Sequence, residues 1–476
     1  MEDAGELRPD LASAAIVGMG ASAGGLEALT AFFDHMPREN RMAFVVVMHQ
    51  HPGHQSMVPE LLARHTSMDV VEVEEDMAVV PDRVHVAPPG FTLEITGGRF
   101  HVMPQAEGSA RSNIDHFFRS LARDQKERAI AVILSGTGSD GTLGLKEIKA
   151  ASGMVMVQDE ASAKYSGMPH SAIATALVDY VLPVEECPEH LLAYVRGPFF
   201  ATDRRAAPGA SIALDSVIAL LRVHTGNDFS AYKESTLRRR IERRMNLHRI
   251  ESSIGYIQLL QQSPAELSAL FGELLIGVTS FFRDPAGFEA LGGALDRLLA
   301  DRPHADGVRA WVTGCATGEE AYSVAIVLRE SAERLGRAFA VQVFATDLDS
   351  GAIQVARLGL YPEAIAADIT PERLERYFNR EERGLRIKKE IRDLIVFASH
   401  NLLKHPPFTR VDLITCRNLL IYLNSEAQAR ILPLFHYALR PRGVLFLGTS
   451  ESVGRFGDLF DRLDPKWKLF ARRDAT

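Results

Sequence analysis

A chain of 476 residues has room for two or three domains. With 46% hydrophobic and 24% charged residues it has globular proportions, and a formal net charge of −8 speaks against a general nucleic-acid binder. The three cysteines (Cys187, Cys315, Cys416) lie far apart and suggest neither a disulfide framework nor a metal site, and no apolar run reaches the ~18 residues of a membrane span.

The first residues, MEDAGELRPD, are acidic and lack the apolar core of a secretory signal. A reducing cytoplasm is the expected setting, and residues 1–13 read as a short disordered lead. From 14 to 196, short apolar runs alternate with helical patterns; the expected strands are AAIVGMG (14–20), MAFVVVMHQ (42–50), AIAVILSG (129–136) and GMVMVQD (153–159). Runs that are apolar on both faces argue for a mostly parallel sheet between helices. The stretch 197–211, broken by Pro and Gly, reads as a linker. Residues 212–290 hold no convincing strand and read as a small all-α module. Within it, residues 233–249 predict a helix with an apolar stripe at Leu237, Ile241 and Met245, and with Arg238, Arg239, Arg240, Arg243 and Arg244 on its other faces. Residues 291–476 return to strand–helix alternation, with strands VRAWVTG (308–314), AVQVFATD (340–347), LIVFAS (394–399), VDLITC (411–416) and GVLFLGTS (443–450). The charged stretch 358–393 reads as an insertion with small strands of its own. The expected class is α/β: two doubly wound, mostly parallel-sheet domains with the all-α module between them.

Two strand-then-glycine turns carry the candidate chemistry. Gly20-Ala21-Ser22-Ala23-Gly24 fits the G-x-S-x-G elbow, with an apolar strand before it and a helical pattern after it. His49 ends the next expected strand, and Asp140 lies just past a third. In an open parallel sheet the carboxyl ends of the strands line one crevice, so Ser22, His49 and Asp140 are expected to converge as nucleophile, general base and orienting carboxylate. Blander readings stay open: Ser22 as a helix cap, Asp140 as a turn residue before Gly141. The second turn, Gly314–Gly318, also follows a strand and opens a helix. Asp347 ends the following strand, where an acidic residue is placed for ribose hydroxyls, and Glu319 opens the helix, where a carboxylate could meet an ammonium group. A zwitterionic, ribose-bearing cofactor such as S-adenosylmethionine suits them; Glu319 and Glu320 as first-turn helix charges is the alternative.

The stretches IVGMGASAGGLEAL, VVVMHQHPG, VHVAPPGF, ILSGTGSDGTLGL and VMVQDEASAKYSGMPHSAI resemble the catalytic domain of CheB-type protein-glutamate methylesterases. That resemblance carries the triad onto Ser22, His49 and Asp140 and the oxyanion donors onto the backbone N–H groups of Ala23 and Thr137, where Thr137 departs from the family's methionine. No receiver-domain stretch stands before residue 14, so phosphorylation of this chain is not expected to regulate it. YKESTLRRRIERRM, GVTSFFRDP, TGCATGEEAYS, FATDLDSGAI, HNLLKHPPF, DLITCRNLLIYL and LGTSES resemble CheR-type protein-glutamate methyltransferases. The resemblance implies S-adenosylmethionine contacts at Thr279, Arg283, Glu319, Asp347, Asn401, Leu402, Arg417 and Asn418, with Gly277 where the family often has asparagine. It also implies that Arg283 and Tyr422 face the reacting centre, and that the basic helix 233–249 meets acidic, glutamate-bearing helices of methyl-accepting receptors. The expectation is a bifunctional adaptation enzyme of chemotaxis-type signalling that hydrolyses glutamate methyl esters, deamidates glutamine, and makes such esters. Neither nucleic-acid binding nor membrane insertion is expected. A generic serine esterase fused to a small-molecule methyltransferase, or a non-catalytic receptor-binding scaffold, are the alternatives. The closing WKLFARRDAT leaves open that the chain is a piece of a longer protein.

Overall fold

The computed structural model describes residues 14–50, 56–105, 112–197, 200, 214–275, 277–300, 307–337, 339–382 and 384–474. The expected lead (1–13) and nearly all of the expected linker (197–211) lie outside them. The chain divides into two compact units: residues up to 213 together with Arg239–Gln262, and Leu214–Arg238 together with residues from Ser263 on.

The first unit is built on β1 (Ala15–Ala21), β2 (Met42–Met48), β3 (Asp69–Glu72), β4 (Arg83–Val86), the hairpin β5 (Phe91–Thr96) and β6 (Arg99–Pro104), then β7 (Ala129–Ile133), β8 (Met154–Gln158) and β9 (Tyr180–Leu182). Its main sheet runs β3-β4-β2-β1-β7-β8-β9, with all its pairings parallel. Such strands need both faces covered, and alternate residues feed separate cores. Val17, Met19, Phe44 and Val46 pack with Phe32 and Phe33 on one face. Ile16, Val45 and Val47 pack with Phe117 and Phe118 on the other.

The second unit has β10 (Val308–Thr313), β11 (Val341–Asp347), a small antiparallel sheet of β12 (Leu360–Tyr361), β13 (Phe378–Glu381) and β14 (Gly384–Ile387), then β15 (Ile395–Ser399), β16 (Val411–Cys416), β17 (Leu439–Leu447), β18 (Phe460–Asp464) and β19 (Leu469–Arg472). The large sheet runs β15-β11-β10-β16-β17-β19-β18. It is parallel through β17 and antiparallel beyond. The small sheet lies where the sequence suggested an insertion.

The basic helix requires a correction. It spans Glu234–Leu247, and Leu237, Ile241 and Met245 are buried as the stripe predicts. Arg240 and Arg243, assigned to the polar faces, are buried too. Within the first unit, Arg243 donates to Ser152 O (3.1 Å) and Gly153 O (2.8 Å) and pairs with Asp179 at 2.5 Å. Lys149 holds the other oxygen of Asp179 at 2.7 Å. Buried charge survives only when paired and hydrogen-bonded, and here it is. Arg239–Gln262 groups with the first unit and not with the helices Leu214–Thr225, Pro264–Leu274 and Pro285–Ala300 of the second, and this network is one of the ties that hold it there.

Candidate active sites

In the first unit β2, β1 and β7 are neighbours, with Ala21 opposite Met48 and Gly20 opposite Ile133. Residues just beyond these pairs must meet. Ser22 Oγ lies 3.2 Å from His49 Nδ1, and His49 Nε2 lies 2.8 Å from Asp140 Oδ2. With Nε2–H donated to the carboxylate, Nδ1 is left as the acceptor for the serine hydroxyl. Ser22 is not the helix cap: that position is Gly24, at φ 71°, before the helix Gly25–Asp34. Asp140 is no bare turn residue either. Its carboxylate accepts the N–H groups of Ile114 (3.0 Å) and Asp115 (2.9 Å), at the start of the helix Asn113–Gln125, and that of Gly141 (2.9 Å).

Asp115 was not singled out by the sequence. It is buried, accepts Gly144 N–H at 2.6 Å, and is pushed well above the usual carboxylate range by burial and then by the Asp140 charge. Burial and that like charge both favour the neutral form of Asp115. Ala23 and Thr137 sit on two loops tied together by Ser22 N–H to Ser135 O (3.0 Å) and Ser135 Oγ to Ala23 O (2.9 Å). Gly136 lets them close up, since a Cβ there would stand 3.0 Å from Ser22 Cβ.

In the second unit the carboxyl ends of β15, β11, β10 and β16 are adjacent, with Thr313 opposite both Thr346 and Cys416, and Asp347 opposite Ser399. Gly314–Glu319, Asp347, Asn401, Leu402, Arg417 and Asn418 all follow these ends. Asp347 accepts Ala316 N–H (2.8 Å) and Asp349 N–H (2.9 Å), and burial raises its pKa. Glu319 opens the helix Glu319–Arg334, is buried, and accepts Thr317 Oγ1–H at 2.6 Å. Glu320 is buried as well, bonded to Thr415 Oγ1 at 2.6 Å, with its pKa raised by burial. Neither is a solvated first-turn charge.

Arg417 is buried under Phe446, 4.6 Å from the ring centroid. It donates to Arg283 O (2.9 Å) and Asp284 Oδ2 (2.6 Å), which ties the stretch carrying Thr279 and Arg283 to the end of β16. Its Nε and Nη1 make no hydrogen bond among the described residues, and Nη1 pairs with Glu320 Oε2 at 3.7 Å. The half-buried Arg283 donates to Val278 O at 3.1 Å. Gly277 lies against Ala316, where a Cβ would come within 2.6 Å of its Cβ, so the family's asparagine would require movement here. Asn401 accepts Leu403 N–H (3.0 Å) and Lys404 N–H (3.2 Å) within its own loop and donates to the sequence-distant Asn227 Oδ1 (3.0 Å). Asn418 takes φ 58°, and Tyr422 ends the short turn Leu420–Tyr422. Buried carboxylates and a glycine turn fit a ligand bearing hydroxyls and an ammonium group. Among the described residues no His/Cys/Asp/Glu group could hold a metal, and no helix is long and apolar enough to cross a membrane.

Three family models match the chain: CheB methylesterase over residues 17–191, the all-alpha domain of CheR methyltransferase over 212–275, and its SAM binding domain over 277–469. An uncharacterized 104.1 kDa protein of Rhodobacter capsulatus is 41% identical over 434 residues, covering 86% of this chain and 46% of that protein. The chain thus spans about half the length of that relative. Chemotaxis protein methyltransferase 2 of Vibrio cholerae is 32% identical over 243 residues, covering 50% of this chain and 84% of the relative. The crystal structure of the Thermotoga maritima CheB methylesterase catalytic domain is 32% identical and covers 38% of this chain and 98% of its own, at a TM-score of 0.36.

Proposed function

We propose that this chain, which belongs to the CheR methyltransferase family and carries a CheB methylesterase domain ahead of it, both removes and makes methyl esters on protein glutamate side chains. The observation that carries the reading is the unbroken line from Ser22 Oγ through His49 to Asp140 at three strand ends. Ser22 Oγ attacks the ester carbonyl carbon and its proton passes to His49 Nδ1. Asp140 holds the Nε2–H and stabilises the imidazolium. The oxyanion faces the backbone N–H groups of Ala23 and Thr137. His49 returns the proton to the departing methanol, and water then cleaves the acyl-enzyme by the same route. A glutamine side chain would follow the same course with ammonia leaving.

S-adenosylmethionine supplies the activated methyl group for the opposite reaction. Asp347 would take its ribose hydroxyls and Glu319 its ammonium group, and Thr279, Asn401, Leu402, Arg417 and Asn418 would make its other contacts. Arg283 and Tyr422 hold the incoming glutamate carboxylate, Arg283 as a planar guanidinium able to grip both oxygens. Positioning and exclusion of water do most of the work, because a carboxylate is a weak nucleophile. The protein substrates are acidic receptor helices in the cytoplasm. Of the basic helix, Lys233 and Arg249 are exposed and Arg238, Arg239 and Arg244 are half-buried, and these groups attract such a surface; Arg240 and Arg243 do not take part. The test uses the full chain with labelled S-adenosylmethionine and a receptor cytoplasmic domain. Base-labile label should appear on receptor glutamates and be released as methanol. Label that resists base, or none, would overturn the reading.

A further inference from the structure

The loop that carries Arg417, Asn418 and Tyr422 follows β16 and has little regular structure of its own. Its shape is set from elsewhere. Glu451, beyond β17, is 5% exposed. Its Oε2 accepts the N–H groups of Asn418 (3.0 Å) and Gly448 (2.7 Å), and its Oε1 accepts those of Leu420 (2.7 Å) and Ile421 (3.3 Å). One carboxylate therefore satisfies successive main-chain donors on the loop and one at the end of the neighbouring strand. Gly448 is part of the device, because a Cβ there would stand 2.8 Å from Glu451 Oε2 and 2.9 Å from Asn418 N. Burial pushes the Glu451 carboxyl up while the backbone N–H groups pull it down. A side chain serving only to fill space would not need an acceptor at both oxygens.

We propose that Glu451 is a positioning residue for methyl transfer: by gathering the Asn418, Leu420 and Ile421 amides on its carboxylate, it fixes Arg417 and Asn418 toward the cofactor and Tyr422 toward the glutamate carboxylate. This rests on the functional reading above. The chemistry makes a sharp demand. A glutamine has the same shape but only one acceptor atom, and either orientation of its amide sets an NH2 against backbone N–H donors. Aspartate keeps both acceptors but is shorter. A carboxylate role ranks glutamate, then aspartate, then glutamine; a space-filling role ranks glutamine above aspartate.

The experiment measures S-adenosylmethionine binding by calorimetry and methyl transfer kinetics on the full chain, with methanol release as the check on the other unit. Wild type that fails to bind S-adenosylmethionine sinks the functional reading itself. Given binding, E451Q should raise Kd at least ten-fold and lower kcat at saturating cofactor, with methanol release unchanged. E451D should fall between E451Q and wild type. G448A, which keeps the carboxylate but crowds it, should also raise Kd, and the double variant G448A/E451Q should lose less than the product of the single effects. Normal Kd and kcat in E451Q, or E451D worse than E451Q, would overturn the proposal. If E451Q does not fold, a normal Kd in G448A overturns it.

Discussion

In the first unit the polar groups of the site are matched to one another: Ser22 to His49, His49 to Asp140, and Asp140 to main-chain N–H groups. Its buried Arg243 is spent in the same way, on Asp179 and main-chain carbonyls. In the second unit the buried Arg417 makes its hydrogen bonds through Nη2 alone, and its Nη1 pairs with Glu320 at 3.7 Å, with two more carboxylates in Glu319 at the start of a helix and Asp347 at the end of β11. Arg243 and Arg417 are both buried, but they are held differently. Arg243, bonded to a carboxylate and two carbonyls, is a rivet; Arg417 keeps a looser 3.7 Å pairing on one nitrogen. On the proposed reading the first site carries its nucleophile on the chain, whereas the second must receive its methyl donor.

The sharpest break of this comparison is at Ser22. S22A should reduce methanol release by about 10^4-fold or more, since the members of a triad act as a unit. Methyl transfer should be unchanged; a variant that keeps wild-type hydrolysis would remove Ser22 from the mechanism. Next, R243A leaves Asp179 and Lys149 buried without their guanidinium, which should cost about 3–5 kcal/mol of stability. Denaturant unfolding would read this, while S-adenosylmethionine affinity should stay near wild type; an unchanged midpoint would mean that Arg243 is not a rivet.

The second unit should respond in a more graded way. D347A removes one charge-assisted contact among several, and should weaken S-adenosylmethionine binding by about 1.5–3 kcal/mol. Unaltered calorimetric affinity would dismiss the ribose assignment. The smallest effect concerns Asp115, whose pKa is raised in the folded state. The native protein therefore binds a proton more tightly than the unfolded chain, so this group's contribution declines as pH rises from the ordinary aspartate range through the folded pKa. D115N, which mimics the protonated acid, should flatten that decline and be at least as stable as wild type at neutral pH. A destabilised D115N whose pH profile parallels wild type would contradict a protonated Asp115.

Much of this was legible in the residues. Strands buried on both faces announce themselves, as β1, β2, β7, β10 and β16 do. Their ends give Ser22, His49, Glu319 and Asp347 almost directly. The short or half-exposed strands β3, β4, β9, β18 and β19 escaped because a few residues carry no clear period. The hairpin β5–β6 need not have: Gly97 and Gly98, at φ 60° and 71°, are the turn signal between two alternating runs. Asp115, Glu451 and the buried half of the basic helix were beyond reach. An arginine-rich helix does not tell which arginine meets a carboxylate 64 positions earlier, as Arg243 meets Asp179.

That pairing bears on how the molecule can be taken apart. The boundary drawn by composition, at 197–211, and the boundary drawn by packing, at Arg238 and again at Gln262, are different boundaries. Scission at the first would strand Asp179 and Lys149 on one product and Arg243 on the other, leaving each with a raw ionic face that water must now solvate. The two products of such a cleavage would be sticky toward each other and poorer than their counterparts in the intact polypeptide. The two halves that composition separates are, at this helix, stitched together by a buried charge network.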